Sequence, residues 1–175
     1  FKLRREHEQR LTVMFADVVG YTRRTSELQS TDWRSANLMK LIQNFEGSTL
    51  PTIEALKGEL IKKMGDGLLA VFKSPLNAAI AALLIQKRIL EDNQYRTESE
   101  KFNVRIGLNT GPVFLKEGDV YGDTVNVASR METSAEPGHI RLTQSTYEQI
   151  KDHIRCTRLG DLQVKGKPEP ITVYS

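Results

Sequence analysis

Cysteine, histidine and long apolar runs are scarce in this sequence. Its 175 residues include one cysteine, Cys156, which cannot form a disulfide within the chain and is typical of a reducing compartment. Three scattered histidines form no cluster with cysteine that could bind zinc. The longest apolar run, Ala78 to Ile85, is far too short to cross a bilayer, and no signal peptide is recognisable. These scarcities predict a cytoplasmic domain with no direct membrane contact of its own.

An excess of one charge is also missing. The chain has 25 Lys and Arg against 22 Asp and Glu, a net charge of +3, and the two signs are interspersed. This distribution argues against a nucleic-acid surface and leaves room for small phosphate-bearing ligands. Hydrophobic residues make up 39% and charged residues 27%, as is typical of a single globular domain.

Strand-like and helix-like segments are mixed along the chain, with a clear hairpin signal at Gly65-Asp66-Gly67. The prediction is an α+β sandwich with helices against a mostly antiparallel sheet. The predicted strands cover residues 11–16, 59–64, 68–72, 102–108, 113–115, 139–142, 154–159 and 171–174. The predicted helices begin at Thr31 or Asp32, Pro75, Asp123 or Thr124, and Thr143, and end at Gly58, near Asn93, at Pro137-Gly138 and near Asp152.

Domain bounds follow from the same pattern. Residues 1–10 are polar and charged and are expected to be a linker or the end of a stalk, with the domain covering 11–175. No methionine opens the chain, which suggests a piece of a longer protein with an upstream sensor or membrane part.

Three local predictions depend on residue type. Gly47 and Pro51 should interrupt or kink the first helix. Gly111-Pro112 should turn the chain between two short strands. The second helix should face the core with four large residues, which are Leu76, Ile80, Leu83 and Leu84.

An amide and a guanidinium stand out in the stretch from Asp119 to Glu132. Asn126 and Arg130 are four residues apart on a predicted helix, so they share a face. Together they offer several donors and no negative charge, which suits a phosphoryl group under attack. Taken alone, the stretch is more simply interpreted as a solvent-facing helix.

Two aspartates stand at the ends of apolar strands. Asp17 follows the first predicted strand, and Asp66 lies at the hairpin tip. Neighbouring strands could bring them together as a divalent-metal site, and Mg²⁺ often takes one or two carboxylates and completes its shell with substrate phosphates. Each aspartate alone is more simply a helix cap or a turn residue.

Known nucleotide-binding motifs do not fit. Residues 65–70 match a dinucleotide fingerprint, but a strand-like run follows where a helix is required. Residues 160–167 fail as a P-loop in length and in the residue that follows. Three basic residues, Lys62, Arg105 and Lys165, become suggestive only as a set.

Five segments carry a resemblance to a known family. They are Phe15-Ala-Asp-Val-Val-Gly-Tyr-Thr22, Lys62-Lys-Met-Gly-Asp-Gly-Leu-Leu-Ala70, Arg105-Ile-Gly-Leu-Asn-Thr-Gly111, Tyr121-Gly-Asp-Thr-Val-Asn-Val-Ala-Ser-Arg-Met-Glu132 and Val164-Lys-Gly-Lys167. In this order they resemble the catalytic domain of class III nucleotidyl cyclases, the adenylate and guanylate cyclase family. The resemblance implies a ferredoxin-like or palm-like fold with a small C-terminal α/β subdomain.

The resemblance implies roles in chemistry for five of these residues. Asp17 and Asp66, with the backbone carbonyl of Val18, would hold two Mg²⁺ or Mn²⁺ ions that activate the ribose 3′-hydroxyl and stabilise leaving pyrophosphate. Asn126 would orient the ribose, and Arg130 would stabilise charge on the α-phosphoryl group.

Four other residues would bind the nucleotide. Arg105 and Lys165 would contact the β- and γ-phosphates. Lys62 and Asp119 match the family's base-selecting pair and complement adenine, whereas relatives that use GTP tend to carry Glu and Cys there. The resemblance therefore implies an adenylate cyclase that converts ATP to 3′,5′-cyclic AMP.

In this family, residues of two subunits together form each active site. This chain carries both sets of residues, so we expect a head-to-tail homodimer. A guanylate cyclase remains an alternative, as does a catalytically silent nucleotide-binding or dimerisation module. A diguanylate cyclase is excluded because its Gly-Gly-(Asp/Glu)-Glu-Phe turn is absent.

Overall fold

The computed structural model describes residues 7–19, 32–162 and 171–174. Its strands form one mixed sheet in the order β2-β3-β1-β4-β6-β8-β7, with β5 paired to β4 outside this order. Among the described strands one pair, β4 with β6, is parallel, and the others are antiparallel. In chain order the elements are β1 (His7–Val18), α1 (Asp32–Ala55), β2 (Glu59–Met64), β3 (Gly67–Phe72), α2 (Pro75–Asn93), β4 (Val104–Lys116), β5 (Asp119–Tyr121), α3 (Asp123–Ser134), β6 (Ile140–Thr143), α4 (Gln144–Ile150), β7 (Arg158–Leu162) and β8 (Ile171–Tyr174).

Both faces of the sheet are covered. Successive side chains of β1 point to opposite faces, so Met14 and Val13 belong to different core clusters. The first cluster lies under α1, α2 and α4, and the second lies under α3. The predicted α+β fold with a mostly antiparallel sheet is confirmed. The C-terminal strands continue the same sheet through the pairing of β4 with β6.

The central ribbon of β1 and β4 is longer than predicted. β1 begins at His7, inside the stretch expected to be a linker, and pairs with β4 along its whole length. The predicted turn at Gly111-Pro112 is wrong, because β4 continues through both residues. Gly111 is instead a packing point: a Cβ there would lie 2.6 Å from the Thr124 hydroxyl of α3. The chain reverses after β4, where Glu117 and Gly118 have positive φ.

The first two helices also differ from the prediction. α1 is not interrupted, although it contains Pro51. Phe45 and Ile53, on either side of the proline, are both buried in one core and hold the two halves of the helix together.

The predicted core face of α2 is wrong in part. Leu83 and Leu84 are exposed, whereas Leu76 and Ile80 are partly buried. Alanines take the core positions because they let the helix approach the sheet closely. The buried residues of α2 are Ala78, Ala79, Ala81, Ala82, Ile85 and Ile89.

Candidate active site

Two predicted acidic residues meet at one end of the sheet. Asp17 lies next to the last residue of β1 and is paired with Gly67 of β3. Asp66 lies in the turn between β2 and β3, and its carbonyl accepts a hydrogen bond from the Val18 amide at 3.0 Å. The two side chains are close enough for their charges to interact. Burial, and then the charge of Asp17, raise the pKa of Asp66 to about 7.

Arg105 lies across from Asp17 in the pairing of β1 with β4. Its Nη2 is 3.6 Å from the Oδ2 of Asp17, and its Nε is 3.4 Å from the Oε2 of Glu132. Its Nη1 donates to the Thr133 carbonyl at 3.2 Å. The structure therefore places this predicted phosphate-binding residue inside the acidic cluster.

Glu132 is a site residue that sequence reasoning missed. It lies in the last turn of α3 and is 8% exposed. Burial, and then the charge of Asp17, raise the pKa of Glu132 to about 7. The available signal was its spacing: Val125, Ala128 and Glu132 follow the i, i+3, i+7 pattern of a buried stripe, where a glutamate needs a partner.

Lys62 and Asp119, the predicted base-selecting pair, are in contact. The Lys62 Nζ donates to the Asp119 Oδ2 at 3.1 Å, although the two residues come from β2 and β5. The other carboxylate oxygen accepts from the Val120 amide at 2.7 Å. That backbone bond and then Lys62 lower the pKa of Asp119, so its carboxylate is charged at neutral pH.

Asn126 and Arg130 lie on the exposed face of α3. α3 begins at Asp123, one of its two predicted starts, and its N-cap is Gly122, with φ of 119°, instead of Asp123 or Thr124. Lys165 lies outside the described residues, so the structure does not place it.

Comparison with known proteins identifies the family of this chain. A family model described as the adenylate and guanylate cyclase catalytic domain matches residues 3–175. The chain belongs to this family. This cyclase domain is 30% identical over 175 residues to an adenylate cyclase of Mycobacterium tuberculosis and 30% identical over 186 residues to guanylate cyclase 2G of the rat. The matches cover 93% and 97% of the chain but only 38% and 16% of those longer proteins.

Solved structures agree with the family assignment. The adenylate/guanylate cyclase/hydrolase of Silicibacter pomeroyi superposes on this cyclase domain with a TM-score of 0.83 and 31% identity. The superposition covers 97% of this chain and 96% of the other. The fold and the class III cyclase family are thus established. The relatives include both adenylate and guanylate cyclases, so they do not decide which base this domain uses.

The acidic pair fits a divalent ion. Within the described ranges, no group of three or more histidine, cysteine, aspartate and glutamate side chains is arranged to hold a metal. Burial and then repulsion from Asp17 raise the pKa of Asp66, and a divalent cation would relieve that repulsion. Two carboxylates are the protein share that Mg²⁺ commonly takes when phosphates complete its shell. No described helix of the cyclase domain is long and apolar enough to cross a membrane.

The acidic cluster makes the metal-free cyclase domain sensitive to pH. Asp66 and Glu132 titrate near pH 7 when folded, above their ordinary values of 3.8 and 4.5. Folding therefore favours their neutral forms, and this stabilisation is complete below about pH 4 and is lost as pH rises through 7. Since solvent screens both groups in part, we expect a melting temperature about 4 °C lower at pH 8 than at pH 5 in EDTA. The Asp66→Asn, Glu132→Gln variant should show a smaller decrease, and an equal decrease would contradict the assignment.

Proposed function

We propose that this cyclase domain is an adenylate cyclase that converts ATP to 3′,5′-cyclic AMP and pyrophosphate. The observation that carries the proposal is the contact of Lys62 with Asp119. Adenine presents an acceptor at N1 and a donor at N6, which an ammonium and a carboxylate complement. Guanine presents the reverse pattern at these two positions. Both side chains are charged and held in fixed relation, so they are prepared for an adenine edge.

The proposed reaction forms one bond to the α-phosphorus and breaks another. The ribose 3′-oxygen attacks the α-phosphorus, the 3′-hydroxyl gives its proton to solvent water, and the bond from the α-phosphorus to the pyrophosphate oxygen breaks, which releases pyrophosphate. Asp17, Asp66 and the Val18 carbonyl would hold Mg²⁺ or Mn²⁺. When bound, such ions activate the hydroxyl and neutralise charge on the leaving group.

Four cationic or amide side chains would act on the nucleotide itself. Asn126 would orient the ribose, and Arg130 would stabilise the negative charge that builds up on the α-phosphoryl group. Arg105 and Lys165 would bind the outer phosphates. Arg105 already lies 3.6 Å from a candidate metal ligand, where the outer phosphates would meet the metal.

The orientation of α3 supports a site shared between two chains. Arg130 and Glu132 are two residues apart, so they point about 200° apart around the helix. Glu132 faces Arg105 of its own chain, and Arg130 is exposed on the opposite face. Arg130 is therefore directed away from the Asp17 of its own chain, which supports a role for it in the site of a partner.

A cleft of about 680 Å³ in the single chain is separate from the proposed site. Its lining includes Thr110, Tyr121 and Ser145, and none of the proposed site residues that the structure describes. This cleft is therefore not the proposed active site, which a second copy would complete. We infer a head-to-tail homodimer with two equivalent sites.

A product assay tests the proposed function directly. The protein is incubated with ATP or GTP and Mn²⁺ at high protein concentration, and the products are separated by chromatography. We expect cyclic AMP from ATP, at a rate at least about tenfold above cyclic GMP from GTP, because the wrong base leaves the charged pair mismatched. Cyclic GMP as the main product would make this a guanylate cyclase. No product from either nucleotide would favour a silent nucleotide-binding module.

A further inference from the structure

We propose that Glu132 is a positioning residue that holds the guanidinium of Arg105 at the acidic pair, ready for the outer phosphates of the nucleotide. The inference rests on the proposed function, because it assumes that Arg105 binds a nucleotide. It assigns a role to a residue that does not itself touch the substrate.

The contacts of Arg105 divide its planar group between three partners. Nε faces the Glu132 Oε2 at 3.4 Å, and Nη1 donates to the Thr133 carbonyl at 3.2 Å. A guanidinium is a rigid fork, so fixing Nε and Nη1 also fixes the direction of Nη2. That third nitrogen faces the Oδ2 of Asp17. The end of α3 thus sets where Arg105 points.

Burial makes Arg105 and Glu132 depend on each other. The Arg105 Nε and the Glu132 Oε2 are both buried, and neither has a hydrogen-bond partner within the described part of the chain. Their contact at 3.4 Å is the polar interaction that stands in place of water. A buried charge that loses its partner is strongly unfavourable, so Arg105 would move towards solvent if the Glu132 carboxylate were removed.

A glycine places Glu132 there. Gly107 is two residues from Arg105 and therefore on the same face of β4. A Cβ at Gly107 would lie 2.2 Å from the Glu132 amide nitrogen and 2.5 Å from the Ala128 carbonyl oxygen. Only a glycine allows α3 to lie this close to the strand, which brings the Glu132 side chain level with Arg105.

The carboxylates of Asp17 and Glu132 both contact Arg105, and we assign them different roles. Asp17 is a candidate metal ligand, and a carboxylate that binds a cation is a weaker partner for an arginine. Glu132 then remains as the second acidic contact of Arg105 and keeps it in place. The Nη2 edge, released from Asp17, is free to receive a phosphate oxygen.

A double-mutant cycle of Glu132→Gln and Arg105→Ala tests this role. Both kcat/KM for ATP and the affinity for 3′-deoxy-ATP, which cannot cyclise, are measured with Mn²⁺. We expect E132Q alone to weaken analogue binding about tenfold, because Arg105 is no longer held. The fall in kcat/KM for ATP should come mostly from a higher KM. In the Arg105→Ala background the same change should have an effect below about twofold.

Glu136→Gln is the matched control, because Glu136 is an exposed glutamate just beyond the end of α3. It should leave analogue affinity unchanged. An equal effect of E132Q in both backgrounds would overturn the proposal, as would weaker Mn²⁺ binding by E132Q in the Arg105→Ala background, which would make Glu132 a metal ligand. If E132Q fails to fold, Glu132→Asp takes its place in the cycle, with a smaller expected loss and the same required dependence on Arg105.

Analogue binding keeps the two hypotheses separate. A wild-type protein that binds 3′-deoxy-ATP but forms no cyclic AMP would disprove the proposed function, and the cycle could still be completed on binding alone. A protein that forms cyclic AMP but gives an additive cycle would disprove the positioning role of Glu132 only.

Discussion

A mixture of Asp17→Ala and Arg130→Ala chains is expected to regain cyclase activity that neither chain has alone. Each parent should fall about 10³-fold or more below wild type, because one lacks a metal ligand and the other lacks the charge on the α-phosphoryl group. In a mixed dimer, one site loses both groups and the other keeps both. With random pairing, half of the dimers are mixed and each has one intact site of two, so we expect about a quarter of wild-type activity.

The complementation depends on the opposite orientations of Arg130 and Glu132 on α3. The assay measures cyclic AMP after the two proteins are mixed at a concentration that favours dimers. The matched control mixes Asp17→Ala with Asp66→Ala, which damage the same half and should leave both sites dead. A D17A and R130A mixture as inactive as its parents would contradict the shared site.

Replacement of Lys62 by Glu together with Asp119 by Cys is expected to change the base preference. The ion pair of 3.1 Å would be lost, and the new side chains would present the opposite pattern of donors and acceptors to an adenine edge. We expect the ratio of kcat/KM for ATP to that for GTP to fall about 100-fold, since a mismatched polar contact in a binding site is costly. Initial rates with each nucleotide, measured separately, give this ratio.

Lys63→Glu is the control for this exchange. Lys63 neighbours Lys62 but pairs with Glu46 instead of Asp119, at 3.4 Å. The same charge reversal at this position should leave the ratio unchanged. If the double variant keeps the wild-type ratio, Lys62 and Asp119 do not select the base.

The fold was predictable because the local signals and the sheet agree. The hairpin around Asp66 and the strand that ends at Asp17 were both visible in the sequence, and their pairing brings the two carboxylates together. The contact of Lys62 with Asp119 was expected only through the family resemblance, since 57 residues separate them.

The errors have physical causes. Gly111-Pro112 has the composition of a turn, yet Gly111 makes room for Thr124 within a continuous strand. The core face of α2 was assigned to large residues, but close packing on the sheet selects alanine. Glu132 was missed because charge normally marks an exposed position, and its partner, Arg105, is far away in the sequence.

The opposed faces of α3 have a consequence for communication between sites. In the proposed dimer, each copy of this helix provides Glu132 to support the metal end of its own chain and Arg130 to act in the partner's reaction. A displacement of one helix would therefore change both sites at once. In such a dimer, nucleotide binding that shifts α3 at one site would change the affinity of the other, and the two sites would be energetically coupled through one helix.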